Sequence, residues 1–87
     1  MFVYVLESIV TPDRHYTGLS SAPIERLEWH NALRSAHTSK HAPWRLLVSI
    51  EFADTNTAVR FEKYLKSGSG RAFAKRHFGE WTTHPVK

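Results

Sequence analysis

An α+β fold, with a three-stranded, mainly antiparallel sheet flanked by helices in the order β-β-α-β-α-α, follows from three features of the sequence. Phe2-Val3-Tyr4-Val5-Leu6 is apolar on both of its alternating faces, the pattern of a central strand covered on each side. A turn-forming segment separates it from His15-Tyr16-Thr17-Gly18-Leu19, which reads as the returning arm of a hairpin. Stretches of helical periodicity, each preceded by a capping residue, then flank a third apolar run. The chain has 87 residues, which suits one domain, and at this size only about 60% of the unfolded surface is buried.

In the first strand, Phe2, Tyr4 and Leu6 point to one face and Val3 and Val5 to the other. In the turn Thr11-Pro12-Asp13-Arg14, proline presets one backbone angle and Asp13 can bond the backbone that follows. Ser20-Ser21-Ala22-Pro23 starts a helix, with a serine cap and a first-turn proline, that runs to about Ala36. On that helix Arg26, His30 and Leu33 share one side, beside an apolar stripe of Ile24 and Leu27. A polar loop ends at Pro43, and Trp44 to Phe52 is the third strand. Asp54 caps a second helix, Thr55 to about Ser67, with the stripe Ala58, Phe61 and Leu65, and Gly68 stops it. Ser69 caps a short third helix through Phe78. Residues 1–78 are thereby the domain, and 79–87, with Trp81 as a group that could pack back, are a C-terminal tail.

Composition narrows the function. Hydrophobic residues at 41% and aromatics at 13% favour a folded globule over a disordered chain. There is no cysteine, which excludes disulfides and thiolate metal sites and leans towards an intracellular, cytoplasmic protein. The apolar run at Phe2–Leu6 is too short for a bilayer, and the N-terminus lacks the basic region of a signal peptide, so no membrane role is expected. The net charge is +4, and Arg60, Lys63, Lys66, Arg71, Lys75 and Arg76 face the single acid Glu62 between positions 60 and 76. That run is a footprint for a polyanion, although a solvated helical face has the same composition.

Several side chains could carry chemistry. Glu62 follows the core position Phe61 within the basic helix; its commoner role is an ion pair with Arg60, Lys63 or Lys66, its sharper one a ligand for a hard divalent cation. Arg26 and His30 are four residues apart on one helical face, offering a fork for phosphate oxygens and a group that can shuttle protons. Tyr4 and Tyr16 stand on the two hairpin strands, where a tyrosine ordinarily packs its ring and points its hydroxyl at a partner. His37 and His41 lie in the polar loop, His77 borders the last helix and His84 falls in the tail, without a zinc-type ligand set. Gly68-Ser69-Gly70 could offer amides to phosphate but serves equally as an inter-helix turn.

Taken in order, these residues resemble the GIY-YIG nuclease superfamily, in the small single-domain branch similar to the N-terminal endonuclease domain of the repair protein UvrC. The first motif is Phe2-Val3-Tyr4 and the second Tyr16-Thr17-Gly18. The family's arginine falls at Arg26 in Arg26-Leu27-Glu28-Trp29-His30-Asn31, and its metal-binding glutamate at Glu62 ahead of Lys63-Tyr64-Leu65-Lys66-Ser67-Gly68. The similarity runs from Met1 to Phe78. Phe2 replaces the glycine of the first motif, and Leu19 and Ser20 stand where some members carry a lysine. No asparagine follows Glu62, so that auxiliary role is absent or falls to Lys63 or Arg71.

The resemblance implies a DNA endonuclease, acting in repair or recombination, that hydrolyses phosphodiester bonds with Mg²⁺ or Mn²⁺ and no small-molecule cofactor. It implies Glu62 as the metal ligand, Arg26 as the stabiliser of phosphoryl charge, and Tyr4 as the group that orients water or takes its proton, helped by Tyr16 and His30. Arg60, Lys63, Lys66, Arg71, Lys75 and Arg76 are then the expected DNA contacts. The alternative is a non-catalytic nucleic-acid-binding module that stacks unpaired bases on Phe2 or Tyr4, which requires an uncovered sheet face.

Overall fold

The computed structural model describes residues 1–78. Its elements are β1 (Phe2–Ser8), β2 (His15–Ser20), α1 (Pro23–Asn31), α2 (Ala36–Ser39), β3 (Trp44–Glu51), α3 (Thr55–Leu65) and α4 (Gly68–His77). The sheet order is β2-β1-β3, antiparallel throughout, which makes β1 the central strand. Neither of its faces is open. Val3 and Val5 pack against Ala58, Leu65 and Ala74 beneath α3 and α4, while Tyr4 and Leu6 pack with Trp44, Tyr16 and Leu27. The base-stacking alternative therefore loses its platform: Tyr4 is buried and Phe2 half-buried.

Strand β3 serves both faces because its register with β1 shifts between Val5 and Leu6. Leu46 pairs with Leu6 and joins the tyrosine face, while Val48 pairs with Val5 and joins the opposite core. One extra residue in a strand reverses which way the following side chains point. At the other end of β1, the buried Glu7 carboxylate accepts from Arg45 Nε at 2.9 Å and lies 3.4 Å from His15 Nε2. The acid is thereby satisfied where a lone buried charge would be costly.

The helices depart from the periodicity in four places. α1 ends at Asn31, not near Ala36, and Leu33 takes a left-handed backbone (φ 62°) with 62% of its surface exposed. The cause is tertiary: Asn31 accepts from the Trp44 amide at 2.6 Å and donates to the Trp44 carbonyl at 2.9 Å, tying the helix end to the start of β3. The polar loop then contains α2, capped by the Ser35 hydroxyl. No serine caps α1; Ser20 Oγ instead accepts from Ala22 N at 2.9 Å, and Ile24 is 57% exposed, so Leu27 alone of the expected stripe packs on the sheet.

Asp54 caps α3 as expected, accepting from the Thr57 amide at 2.9 Å. Ser67, not Ser69, caps α4, accepting from the Gly70 amide at 3.1 Å. That amide is consumed by the cap, and Gly70 sits so close to the Tyr64 carbonyl that a Cβ would collide with backbone. Glycine here permits the tight α3–α4 turn. Trp81, His84 and the rest of the expected tail lie outside the described residues. Among those described, no helix is long and apolar enough to cross a membrane.

Candidate active site

The site assembles beside β2, an edge strand. Tyr4 on β1 pairs with Gly18 on β2, and its ring extends across that glycine towards Tyr16. A Cβ at Gly18 would stand 2.7 Å from Tyr4 Oη and 3.0 Å from Tyr16 Cε2, so only a residue without a side chain lets the two rings approach. Their centroids are 6.2 Å apart. From α1, His30 places its ring 4.7 Å from that of Tyr16 and its Nε2 3.2 Å from the Tyr4 hydroxyl. Tyr4 and His30 are each only 1% exposed, so this contact is shielded from water.

Arg26, one helical turn before His30, lays its guanidinium 4.0 Å above the centroid of the Trp29 ring, an arrangement that restricts a long side chain without neutralising it. Its charge reaches both buried groups. Burial pushes the Tyr4 hydroxyl above its ordinary value; Arg26 pulls it down, while Tyr16 and Glu62 push it further up. Burial, then Arg26, holds His30 below its ordinary value. A neutral imidazole thus stands between a buried phenol and a fixed cation.

Glu62 on α3 is 9% exposed and paired with Lys66 one turn on. Lys66 also lines a cleft of about 810 Å³ with Arg14, Tyr16, His37, Arg71 and Lys75. Glu62 is therefore joined to the tyrosines in two ways, through its charge on Tyr4 and through the cleft its partner shares with Tyr16. No group of three or more His, Cys, Asp or Glu that could hold a metal occurs among the described residues. A single hard carboxylate, already compensated by a cation, suits Mg²⁺ or Mn²⁺, which keep several waters and share ligation with substrate phosphate.

Tyr4, Tyr16, Arg26 and His30 thus meet, Glu62 is linked to them through its charge on Tyr4 and its pair with Lys66, and the six basic residues divide. Lys66, Arg71 and Lys75 line the cleft. Arg60 is exposed and bonds Thr57 on its own helix at 3.3 Å, and Lys63 and Arg76 are exposed away from the cleft lining. Two contributors are not marked by the sequence: Arg14, brought to the cleft by the hairpin turn, and Thr38, which bonds the far side of His30. His37, expected in a polar loop, stands in α2 and lines the cleft. The Ser35-Ala36-His37-Thr38 spacing, with a hydroxyl three residues before a helical amide, was the available signal for that segment.

A three-stranded antiparallel sheet whose first two strands bring two tyrosines together over a glycine, with helices against it, is consistent with the GIY-YIG fold. The chain belongs to that family: the model of the GIY-YIG catalytic domain matches residues 1–77. It is 32% identical over 65 residues to the structure-specific endonuclease subunit SLX1 homolog of Giardia intestinalis, covering 70% of this chain and 18% of that protein. It is 34% identical over 71 residues to the structure-specific endonuclease subunit SLX1 of Meyerozyma guilliermondii, covering 74% and 24%. The matched region thus spans a quarter or less of the length of these curated relatives. No solved structure matches the chain significantly.

Proposed function

We propose that residues 1–78 form a divalent-metal-dependent DNA endonuclease domain that hydrolyses phosphodiester bonds during repair or recombination, in whichever of nucleus or cytoplasm holds its DNA. The observation that carries the reading is the meeting of Tyr4, Tyr16, Arg26 and His30 beside a cleft lined by Arg14, Lys66, Arg71 and Lys75. The names of the relatives support a structure-specific DNA substrate.

Glu62 would hold a divalent cation, Mg²⁺ or Mn²⁺, which would supply charge neutralisation at the leaving oxygen. Arg26 receives the non-bridging phosphoryl oxygens, where negative charge grows as the P–O bond to the leaving group breaks. Tyr4 orients the attacking water and, as the phenolate, takes its proton, His30 steadies the Tyr4 oxygen, and Tyr16 packs against both and forms the wall of the cleft. Lys66, Arg71, Lys75 and Arg14 guide the phosphates of the flanking strand. Arg60, Lys63 and Arg76 extend the positive field outside it.

The test is incubation of the purified chain with plasmid, single-stranded, flap and branched DNA, with and without Mg²⁺ or Mn²⁺, alongside Glu62→Ala. Metal-dependent nicking that disappears in the variant is expected. Salt-sensitive binding with no cleavage of any substrate would overturn the enzymatic reading and leave a DNA-binding domain of the same fold.

A further inference from the structure

The hydroxyl of Thr38 lies 3.0 Å from His30 Nδ1, on the side of the ring away from Tyr4, and Thr38 is 1% exposed. Its backbone is fixed at both ends: the amide donates to Ser35 Oγ at 3.4 Å, and the carbonyl accepts from Trp44 Nε1 at 2.9 Å. Trp44 is itself clamped by the Asn31 side chain, next to His30 in sequence. A helix of only four residues is thereby held against β3 and α1, with one hydroxyl aimed at one imidazole nitrogen.

A buried hydroxyl carries a proton that must find an acceptor. Among the described residues, His30 Nδ1 is the only hydrogen-bond partner of the Thr38 hydroxyl. If Nδ1 carried the ring proton, the Thr38 proton would face no acceptor in a place closed to water. If Thr38 donates, Nδ1 is bare, the ring proton sits on Nε2, and Nε2 points at the Tyr4 oxygen 3.2 Å away. The one proton then without an acceptor among the described residues is that of Tyr4, and a phenol beside Arg26 can release its proton where an aliphatic hydroxyl cannot. The His30 ring is kept neutral near pH 7 by its burial and by Arg26, so one of these two tautomers must be chosen.

We propose that Thr38 is a positioning residue that fixes His30 as the Nε2–H tautomer, so that the imidazole donates to the Tyr4 oxygen and leaves the Tyr4 proton to depart into the site. A donor aimed at the phenol oxygen favours the phenolate and works against the burial that raises Tyr4. The consequence for catalysis rests on the nuclease reading above; the tautomer does not.

Long-range ¹H–¹⁵N correlation of the histidine rings in the full chain at pH 7.5 reads the tautomer directly. The wild-type spectrum is expected to show His30 protonated at Nε2. Thr38→Val, which keeps the shape and removes the hydroxyl, should move a substantial fraction of the proton to Nδ1 and lower kcat for DNA cleavage about tenfold with KM unchanged. Thr38→Ser should restore both. A wild-type proton on Nδ1, or a Thr38→Val protein with wild-type tautomer and kcat, overturns the proposal. Should Thr38→Val fail to fold, the wild-type and Thr38→Ser spectra still decide it. Absence of cleavage in the wild type would defeat the nuclease reading alone, since the tautomer is measured without DNA.

Discussion

On one face of β1, Val3 and Val5 meet Ala58, Leu65 and Ala74, and every buried member of that cluster is apolar. On the other face Tyr4 meets a histidine, and that histidine meets a threonine, through hydrogen bonds of 3.2 and 3.0 Å. The first face is held by the hydrophobic effect, which has no direction and grows with area removed from water. The second is held by donors and acceptors whose angles matter. Damage to the first should therefore appear as lost stability, and damage to the second as lost activity in a chain that remains folded.

The largest expected effect tests the active face. Glu62→Gln should reduce metal-dependent cleavage on the order of 10³-fold, while the melting temperature stays within a few degrees because glutamine keeps the shape of the buried side chain and the Lys66 end of the pair is exposed. Cleavage assays and thermal melts on the same preparation check both halves. Next comes the dry face: Leu65→Ala should cost about 2–5 kcal/mol and lower the melting temperature by roughly 10 °C or more. Cleavage by its folded fraction should persist at low temperature. If that fraction is inactive, the two faces are not separable.

Gly18→Ala probes the boundary between them. Its new methyl would push on Tyr4 Oη and the Tyr16 ring, and a displacement approaching 1 Å should lower kcat by up to about 10²-fold. Its effect on the melt should be smaller than that of Leu65→Ala. Arg71→Ala and Lys75→Ala should each weaken DNA binding regardless of sequence and reduce the salt slope of log K by about 1. Titrations at several ionic strengths measure that slope. The smallest effect concerns pH. Burial holds His30 and His15 below the ordinary histidine value, so below about pH 6.5 the unfolded chain binds more protons than the folded one and stability rises with pH. The melting temperature should fall by a few degrees from pH 7.5 to 5; a flat or rising profile would contradict the burial of these rings.

The sheet was legible in the sequence because strand alternation depends on local order alone. Both covers of β1, the hairpin and the Asp54 cap follow from residues within a few positions of one another. The errors cluster where distant residues decide. Nothing near Asn31 announces that its amide will bind the backbone of Trp44, thirteen residues away, and so end α1 early. Ser67 outcompetes Ser69 as a cap because Gly70 must lie against the Tyr64 carbonyl, a constraint of helix–helix approach. The site followed the same rule. The candidates Tyr4, Tyr16, Arg26, His30 and Glu62 follow from the ordered motifs of a family, but the cleft and Thr38 depend on three-dimensional assembly.

The shift between β1 and β3 at Val5 and Leu6 gives this strand the character of a reading frame. Insertion or deletion of a single residue before Tyr4 would keep the composition of β1 and yet exchange its two messages, sending valines to the chemistry and the phenol into the oil. Mutational libraries of this domain should accordingly accept many substitutions in β1 but no change in its length, while the turn from Ile9 to Asp13, outside that frame, should accept both.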